Sequence, residues 1–308
     1  MENIIGRRVL VTGSQSMLGI QVMSLLATYK AIPYGVPHEI CDLMDERKTF
    51  EYFNAIKPDY IIHCAGFNGG IFYNEKYPSD IYNITTTIGS NVLNTAKKLN
   101  VDKVVSVATS CAYPVNEILE EKDFLNGEPH DSVQCHAYAK RHLFVYGKQL
   151  HKQYGLKHIC VVFNNMYGPR DSFDANKTKF IGALVRKICD GKFDNTESIE
   201  LWGTGKPLRE VIFSRDAAKG LIESLIKYDN YSSVLNIGNG EEKTVLEYAE
   251  KIKEICNYNG KIIVNPSKPD GQMKKLLSNR RMRQYNIDVD FTTLESGLKQ
   301  TINYYENI

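Results

Sequence analysis

No apolar run in the 308-residue sequence approaches the roughly 18 residues that a bilayer-spanning helix needs. The opening MENIIGRRVL leads straight into a strand-like run, without the apolar stretch and small-residue cleavage site of a secretory signal. Charge of one sign is also missing. The 38 Lys and Arg against 36 Asp and Glu leave a formal charge of +2, so the chain lacks the electrostatic signature of a nucleic-acid binder, and any anion must be held locally. The seven cysteines are odd in number, scattered and never spaced CxxC. That pattern predicts free thiols in a reducing compartment and no structural zinc, hence a cytoplasmic protein. Repeats and low-complexity segments are absent.

What is present is an alternation of strand and helix patterns. Arg8 to Thr12 (RVLVT) is short, β-branched and apolar, as a strand buried on both faces of a parallel sheet should be. Leu18, Val22, Leu25 and Leu26 follow at helical spacing. A weak strand over Ala31 to Val36, a helix over Glu46 to Ile56 and a strand over Tyr60 to Cys64 complete βαβαβ, the first half of a doubly wound sheet. A loop, FNGGIFYNEKYP, precedes a helix from about Asp80 to Leu99 and a strand over Lys103 to Ala108. A helix over Ala139 to Tyr154 and a strand over His158 to Phe163 come next. After about Pro169 the alternation fades into helices near Lys177 to Cys189, Ala217 to Lys227 and Val245 to Cys256, with short strands such as Val234 to Ile237. The expected architecture is α/β: a Rossmann-type doubly wound parallel sheet over 1–169, and a smaller, mostly helical substrate lobe over 170–308 with segments returning to the main domain.

The first strand runs into Gly13-Ser14-Gln15-Ser16-Met17-Leu18-Gly19. There a helix N-terminus and a glycine turn could admit the diphosphate of a dinucleotide. Ser16 stands where the usual GxxGxxG has its middle glycine, so the motif alone is weak, and a plain strand-to-helix turn is the competing reading. The acidic or basic residue that would choose NAD or NADP is not legible in Tyr34 to Glu39. Asp42 and Leu43 are candidate adenine contacts, and Asp42 reads equally well as a helix N-cap.

Three further segments fall at predicted strand ends, where ligands bind in open α/β sheets. They are Ala108-Thr-Ser-Cys-Ala-Tyr-Pro114, His136-Ala-Tyr-Ala-Lys140 and Asn164-Asn-Met-Tyr-Gly-Pro169. In this order, with Asn68-Gly-Gly70, Tyr77-Pro78, Trp202-Gly-Thr-Gly-Lys-Pro-Leu-Arg-Glu210 and the stretch Asp270 to Leu277, the chain resembles the extended short-chain dehydrogenases, and among them the GDP-L-fucose synthases.

The resemblance implies a reductase of the C4 ketone of a GDP-4-keto sugar, with or without 3,5-epimerisation, serving nucleotide-sugar biosynthesis for surface glycans. NADP(H) is the expected cofactor and NAD(H) is not excluded. It assigns hydride-transfer roles to Thr109, Ser110 and Lys140, and proton abstraction to Cys111. It extends the dinucleotide contacts from the Gly13–Gly19 turn and Asp42-Leu43 to Ala65, Gly66, Lys140, Phe163, Asn165 and Met166. Asn165, Lys179, Lys187, Trp202, Arg209 and Lys275 become substrate contacts, with Arg186 a further candidate for the diphosphate. The helices Asp80 to Leu99 and Ala139 to Tyr154 would form a four-helix contact in a homodimer.

Two positions depart from the family pattern. The tyrosine four residues before the lysine is His136, and Tyr138 cannot replace it because two residues along a helix face elsewhere. The family's histidine after the YGP segment is Lys179. A histidine can donate a proton near neutral pH, although a cation at Lys140 would lower its pKa. The alternative is that His136 only fills space. Lys179 is a cation that would favour the Cys111 thiolate, yet without the histidine, loss of epimerisation with C4 reduction retained is the simpler expectation. Two rival readings are a sugar-nucleotide dehydrogenase or epimerase that keeps NAD bound, and a homologue that binds nucleotide sugars with impaired catalysis.

Overall fold

A computed structural model describes residues 3–268 and 270–308. The first half runs β1 (Arg8–Thr12), α1 (Met17–Thr28), β2 (Ile32–Val36), α2 (Glu46–Ile56), β3 (Tyr60–His63), α3 (Ile71–Lys76), α4 (Pro78–Lys98), β4 (Lys103–Thr109), α5 (Gln134–Tyr154) and β5 (His158–Phe163). The second half runs β6 (Asn165–Tyr167), α6 (Phe180–Phe193), β7 (Ser198–Trp202), β8 (Leu208–Phe213), α7 (Ser214–Lys227), β9 (Leu235–Asn236), β10 (Glu242–Thr244), α8 (Val245–Cys256), β11 (Lys261–Asn265), β12 (Lys274–Lys275), α9 (Arg280–Gln284) and α10 (Leu294–Glu306).

Six parallel strands form the main sheet in the order β2-β1-β3-β4-β5-β9. Alternate residues of β1 feed opposite faces. Val9 and Val11 join a core that contains Leu18 of α1 and Leu221 of α7, while Leu10 joins one that contains Phe53, Val92 and Leu143 of α2, α4 and α5. A third core, with Val185, Val211, Tyr248 and Leu298, lies within the later half of the chain. Around it β6, β8, β10 and β12 form one small sheet and β7 and β11 another. Both α7 and β9 return to the main sheet. The strand order reverses between β1 and β3, which opens a crevice at their carboxyl ends.

Several boundaries differ from those read in the sequence. The FNGGIFYNEKYP loop contains the short helix α3. Helix α5 begins at Gln134, after a single 3-10 turn over Asp131–Val133, and Val133 supplies no side-chain cap, so no N-cap signal marks the start. His136 therefore lies in the first helical turn. Helix α6 begins at Phe180, which leaves Lys179 in extended backbone at its N-cap. Asp42 is not the cap of α2. Asp45 is, accepting from the Lys48 N–H at 3.0 Å, and Asp42 closes a turn on the Met44 N–H at 2.9 Å.

Glu210 of β8, with 0% exposure, ties the two halves together. Its carboxylate accepts from the Gly240 N–H at 2.8 Å, the Leu277 N–H at 3.0 Å and the side-chain amide of Asn164. Burial pushes this carboxyl up, and those three donors oppose the shift. Glu210→Ala would orphan the donors at about 1–3 kcal/mol each. The denaturant midpoint is therefore expected to fall by the equivalent of at least ~3 kcal/mol, with Glu210→Gln losing less. An unchanged midpoint in the alanine variant would remove this residue from the account of stability.

Candidate active site

The glycine turn sits in the crevice between β1 and β3. Gly13 has φ +65°, and a Cβ there would stand 2.9 Å from the Ala65 nitrogen. One at Gly19 would stand 2.1 Å from the Gly13 carbonyl oxygen, so neither position admits a side chain. Ser16, in place of a glycine, is the N-cap of α1, and its hydroxyl accepts from the Gly19 N–H at 3.0 Å. Ser14 is buried against Gly35 of β2, while Gln15 and Ser16 are exposed. Met17 is half-buried and Leu18 belongs to the core. This is a tight, backbone-lined cradle at a helix start, of the kind that admits a phosphate.

At the end of β3, the Thr12 hydroxyl accepts from the Ala65 N–H at 3.2 Å and shares a 2.7 Å hydrogen bond with Nδ1 of His63. The exposed Gly66 leaves room beside it for the Lys140 ammonium, which would lie 3.5 Å from any Cβ there. Phe163 and Leu43 are buried with their side chains in the core. Asn165 and Met166 are half-buried, and the Asn165 amide donates to the Glu210 carbonyl at 3.3 Å.

Beyond β4 a 3-10 turn over Ser110–Ala112 presents Cys111. The Thr109 hydroxyl caps it by accepting from the Cys111 N–H at 3.2 Å, and Ser110 is buried. The cation on the Cys111 sulfur is Lys275, with Nζ 3.4 Å from Sγ; Lys179, expected in that place, contributes less. Burial alone would push the thiol up, but Lys275, the Thr109 hydroxyl and Lys179 outweigh it and hold it below the ordinary thiol range.

His136 and Lys140 lie one helical turn apart on α5 and are both buried. Burial, followed by Lys140, Lys179 and Lys275, pushes His136 well below the ordinary imidazole range. Lys140 is a stronger acid than a free lysine: burial brings it down to about 8, against the pull of Cys160 and Cys64. The Nδ1 atom of His136 is buried and has no hydrogen-bond partner. Tyr138 faces away, its hydroxyl donating to Glu128 and its ring carrying the Arg141 guanidinium, whose carbon lies 5.6 Å from the centroid.

Thr109, Cys111, His136, Lys140, Lys179, Arg209 and Lys275 thus form one electrostatically coupled group. Lys187 and Trp202 sit together on the lobe instead. The Lys187 ammonium lies 5.0 Å from the Trp202 ring centroid and donates to the Glu200 carbonyl at 3.1 Å, and Lys268 lies 5.3 Å from the same ring. The sequence marks Asp270 only as the start of a motif and gives it no contact; it accepts from the Thr204 N–H at 2.7 Å and hydroxyl at 2.8 Å, and its carbonyl accepts from Arg209 at 3.4 Å. Sequence reading missed Asp171, which burial pushes up to about 6. Among the described residues, no three His, Cys, Asp or Glu side chains converge as metal ligands, and no helix is long and apolar enough to cross a membrane.

Comparison with known proteins gives this arrangement a family. The GDP-L-fucose synthase of Dictyostelium discoideum is 33% identical over 305 residues, covering 97% of this chain and 95% of its own. A GDP-L-fucose synthetase from Naegleria fowleri bound to NADP superposes with a TM-score of 0.88 at 25% identity, over 98% of this chain and 95% of that one. A GDP-6-OMe-4-keto-L-xylo-heptose reductase from C. jejuni has a TM-score of 0.92 at 23% identity, over 100% and 99% of the two chains, and establishes the fold alone. A model of the NAD dependent epimerase/dehydratase family matches residues 9–238. With that match and similarity to a GDP-L-fucose synthase along nearly its whole length, the chain belongs to the NAD dependent epimerase/dehydratase family.

Proposed function

We propose that the protein reduces the C4 ketone of a GDP-4-keto sugar with NADP(H). The observation that carries this reading is the coupled group of Cys111, His136 and Lys140 beside a glycine cradle at the switch point of the sheet. The Gly13–Gly19 turn fits a dinucleotide diphosphate, since a Cβ at either end would collide with backbone. Ala65, Gly66, Asn165 and Met166, and the backbone of Leu43 and Phe163, complete its expected surroundings, with Asp42 nearby. When bound, the nicotinamide supplies the hydride.

The chain's own task is to manage protons and charge. As the ketone is reduced, its oxygen becomes an alkoxide that needs a hydrogen bond and then a proton. Thr109 offers a hydroxyl. A neutral imidazole surrenders its ring proton to an alkoxide only while its second nitrogen gains one. His136 has an unpartnered Nδ1, and one turn away is Lys140, whose pKa burial brings down to about 8. His136 then acts as a relay and Lys140 as the proton source. Arg209, Lys179 and Lys275 are cations for the substrate diphosphate, and Lys187 with Trp202 offers a ring and a charge to the nucleoside end. We further propose a homodimer through α4 and α5, which expose Tyr82 and Val145.

The test is a panel of GDP-4-keto sugars, 6-deoxyhexose and heptose, incubated with NADPH or NADH in heavy water. Stoichiometric oxidation of NADPH with a C4 hydroxyl in the product is expected. Absence of oxidation with every substrate overturns the reading, and NAD that survives dilution in the purified protein would favour the internally recycling epimerase. The reduction is also expected to depend on pH through Lys140. Its lowered pKa keeps it charged below about 8, so kcat/KM should fall about tenfold per pH unit above that point. Lys140→Met should lower the rate by about 10²- to 10⁴-fold and abolish the limb; an unchanged limb assigns it to another group.

A further inference from the structure

The Lys275 side chain has a neighbour that its expected role at the substrate diphosphate does not explain. It comes from β12, 164 positions along the chain from the Cys111 turn, and its ammonium lies 3.4 Å from the Cys111 sulfur. Three features hold it there. Strand β12 pairs in parallel with β8, placing Lys275 beside Arg209, so the two cations occupy neighbouring register positions. The Leu277 N–H just beyond is held by the Glu210 carboxylate at 3.0 Å, and the Asn164 amide donates to the Lys275 carbonyl at 3.3 Å. The turn that carries the sulfur is fixed from its own side by the Thr109 hydroxyl, which accepts from the Cys111 N–H.

We propose that Lys275 acts through Cys111, holding its sulfur as a thiolate able to take a proton from a carbon next to the substrate ketone. The assignment of that carbon rests on the function proposed above; the Lys275–Cys111 pairing does not. In the step, the C–H bond breaks, its electron pair moves into the carbonyl to give an enolate, and the proton passes to sulfur, so no oxidant or reductant is required. The charged and hydrogen-bonding groups on Cys111 are Lys275 from β12, Arg209 from β8, Lys179 from the start of α6 and Thr109 from its own turn. Lys275 is the one in contact. The family's histidine is therefore not needed to ionise the sulfur, and proton exchange beside the ketone survives its replacement by Lys179.

The pairing can be tested without substrate or cofactor, by following iodoacetamide alkylation of the folded protein between pH 5 and 10 and reading Cys111 separately by peptide mass spectrometry. In the wild type the Cys111 profile should rise below the ordinary thiol range. Lys275→Met should slow alkylation at pH 7 by about tenfold, Lys275→Arg should restore most of it, and Lys179→Met should have a smaller effect. A wild-type profile like that of a free thiol, or a Lys275→Met profile that superposes on the wild type, overturns the proposal. So does a loss in Lys275→Met that Lys275→Arg leaves uncorrected, since the effect then comes from distortion. Deuterium uptake by GDP-4-keto sugars, measured in the same variants, separates the two readings. An ionised Cys111 without exchange refutes the assigned reaction and leaves the pair intact, whereas lost exchange with unchanged alkylation places Lys275 on the substrate instead.

Discussion

The buried carboxylate of Glu210 is the constraint on which the geometry of the site depends. Its oxygens meet groups from three other segments: Asn164 after β5, Gly240 in the turn between β9 and β10, and Leu277 after β12. A Cβ on Gly238 would lie 2.2 Å from Oε1, so the chain can pass this carboxylate only as glycine. An ionised group with no exposure to water is costly unless its lone pairs are met, and here each partner is a fixed donor. Because neighbours in a strand point to opposite faces, fixing Glu210 inward sends Arg209 the other way. The pairing of β12 then brings Lys275 beside Arg209 and onto the sulfur of Cys111. Stability and chemistry are thus linked at adjacent residues of one strand.

The second organising fact is an imbalance of charge. Lys140, Lys179, Arg209 and Lys275 act on one cysteine and one histidine, and the carboxylates that act on them, Asp270 on Arg209 and Asp171 on Lys179, are fewer than the cations. Burial first, and the neighbouring cations after it, depress His136 and Lys140, and His63 is pushed well down by burial and then by Lys140. Such a pocket is prepared for an anion, whose arrival relaxes repulsion already present. On the proposed reading that anion is a diphosphate, and its binding and the ionisation of Cys111 draw on the same cations.

Much of the fold was legible because it is written in local periodicity. Helices α2 and α8 and strand β5 occupy the residues that their patterns marked, and the glycine turn lies between β1 and α1, after the first strand as its sequence placed it. What was not legible lacks a local signal. The start of α5 has no capping side chain, so its periodic pattern marks the helix only from Ala139, although the His136-to-Lys140 motif already reads as opening a helix. Asp42 and Asp45 are both plausible caps, and only packing decides between them. The partner of Cys111 was assigned to Lys179 by motif, while the contact is made by Lys275 through a strand pairing that no short window contains. Glu210 was visible only as the end of a motif, since its partners are distant in sequence.

The replacement of a tyrosine by His136 can now be set against this field. A nearby cation makes a phenol more acidic and so helps it to give up its proton, but the same cation makes an imidazolium rarer. Lys179 and Lys275 act on both Cys111 and His136, so every increment that favours the thiolate disfavours a protonated histidine. In the free protein these cations therefore favour the Cys111 thiolate and add to the burial that favours a neutral His136. An entering dianion reverses the trend for His136 by cancelling part of the positive potential, while Lys275, in contact with the sulfur, continues to support Cys111 at short range. On the proposed reading, contact with Lys275 supports Cys111 as a base while the same cluster of cations keeps His136 a neutral relay.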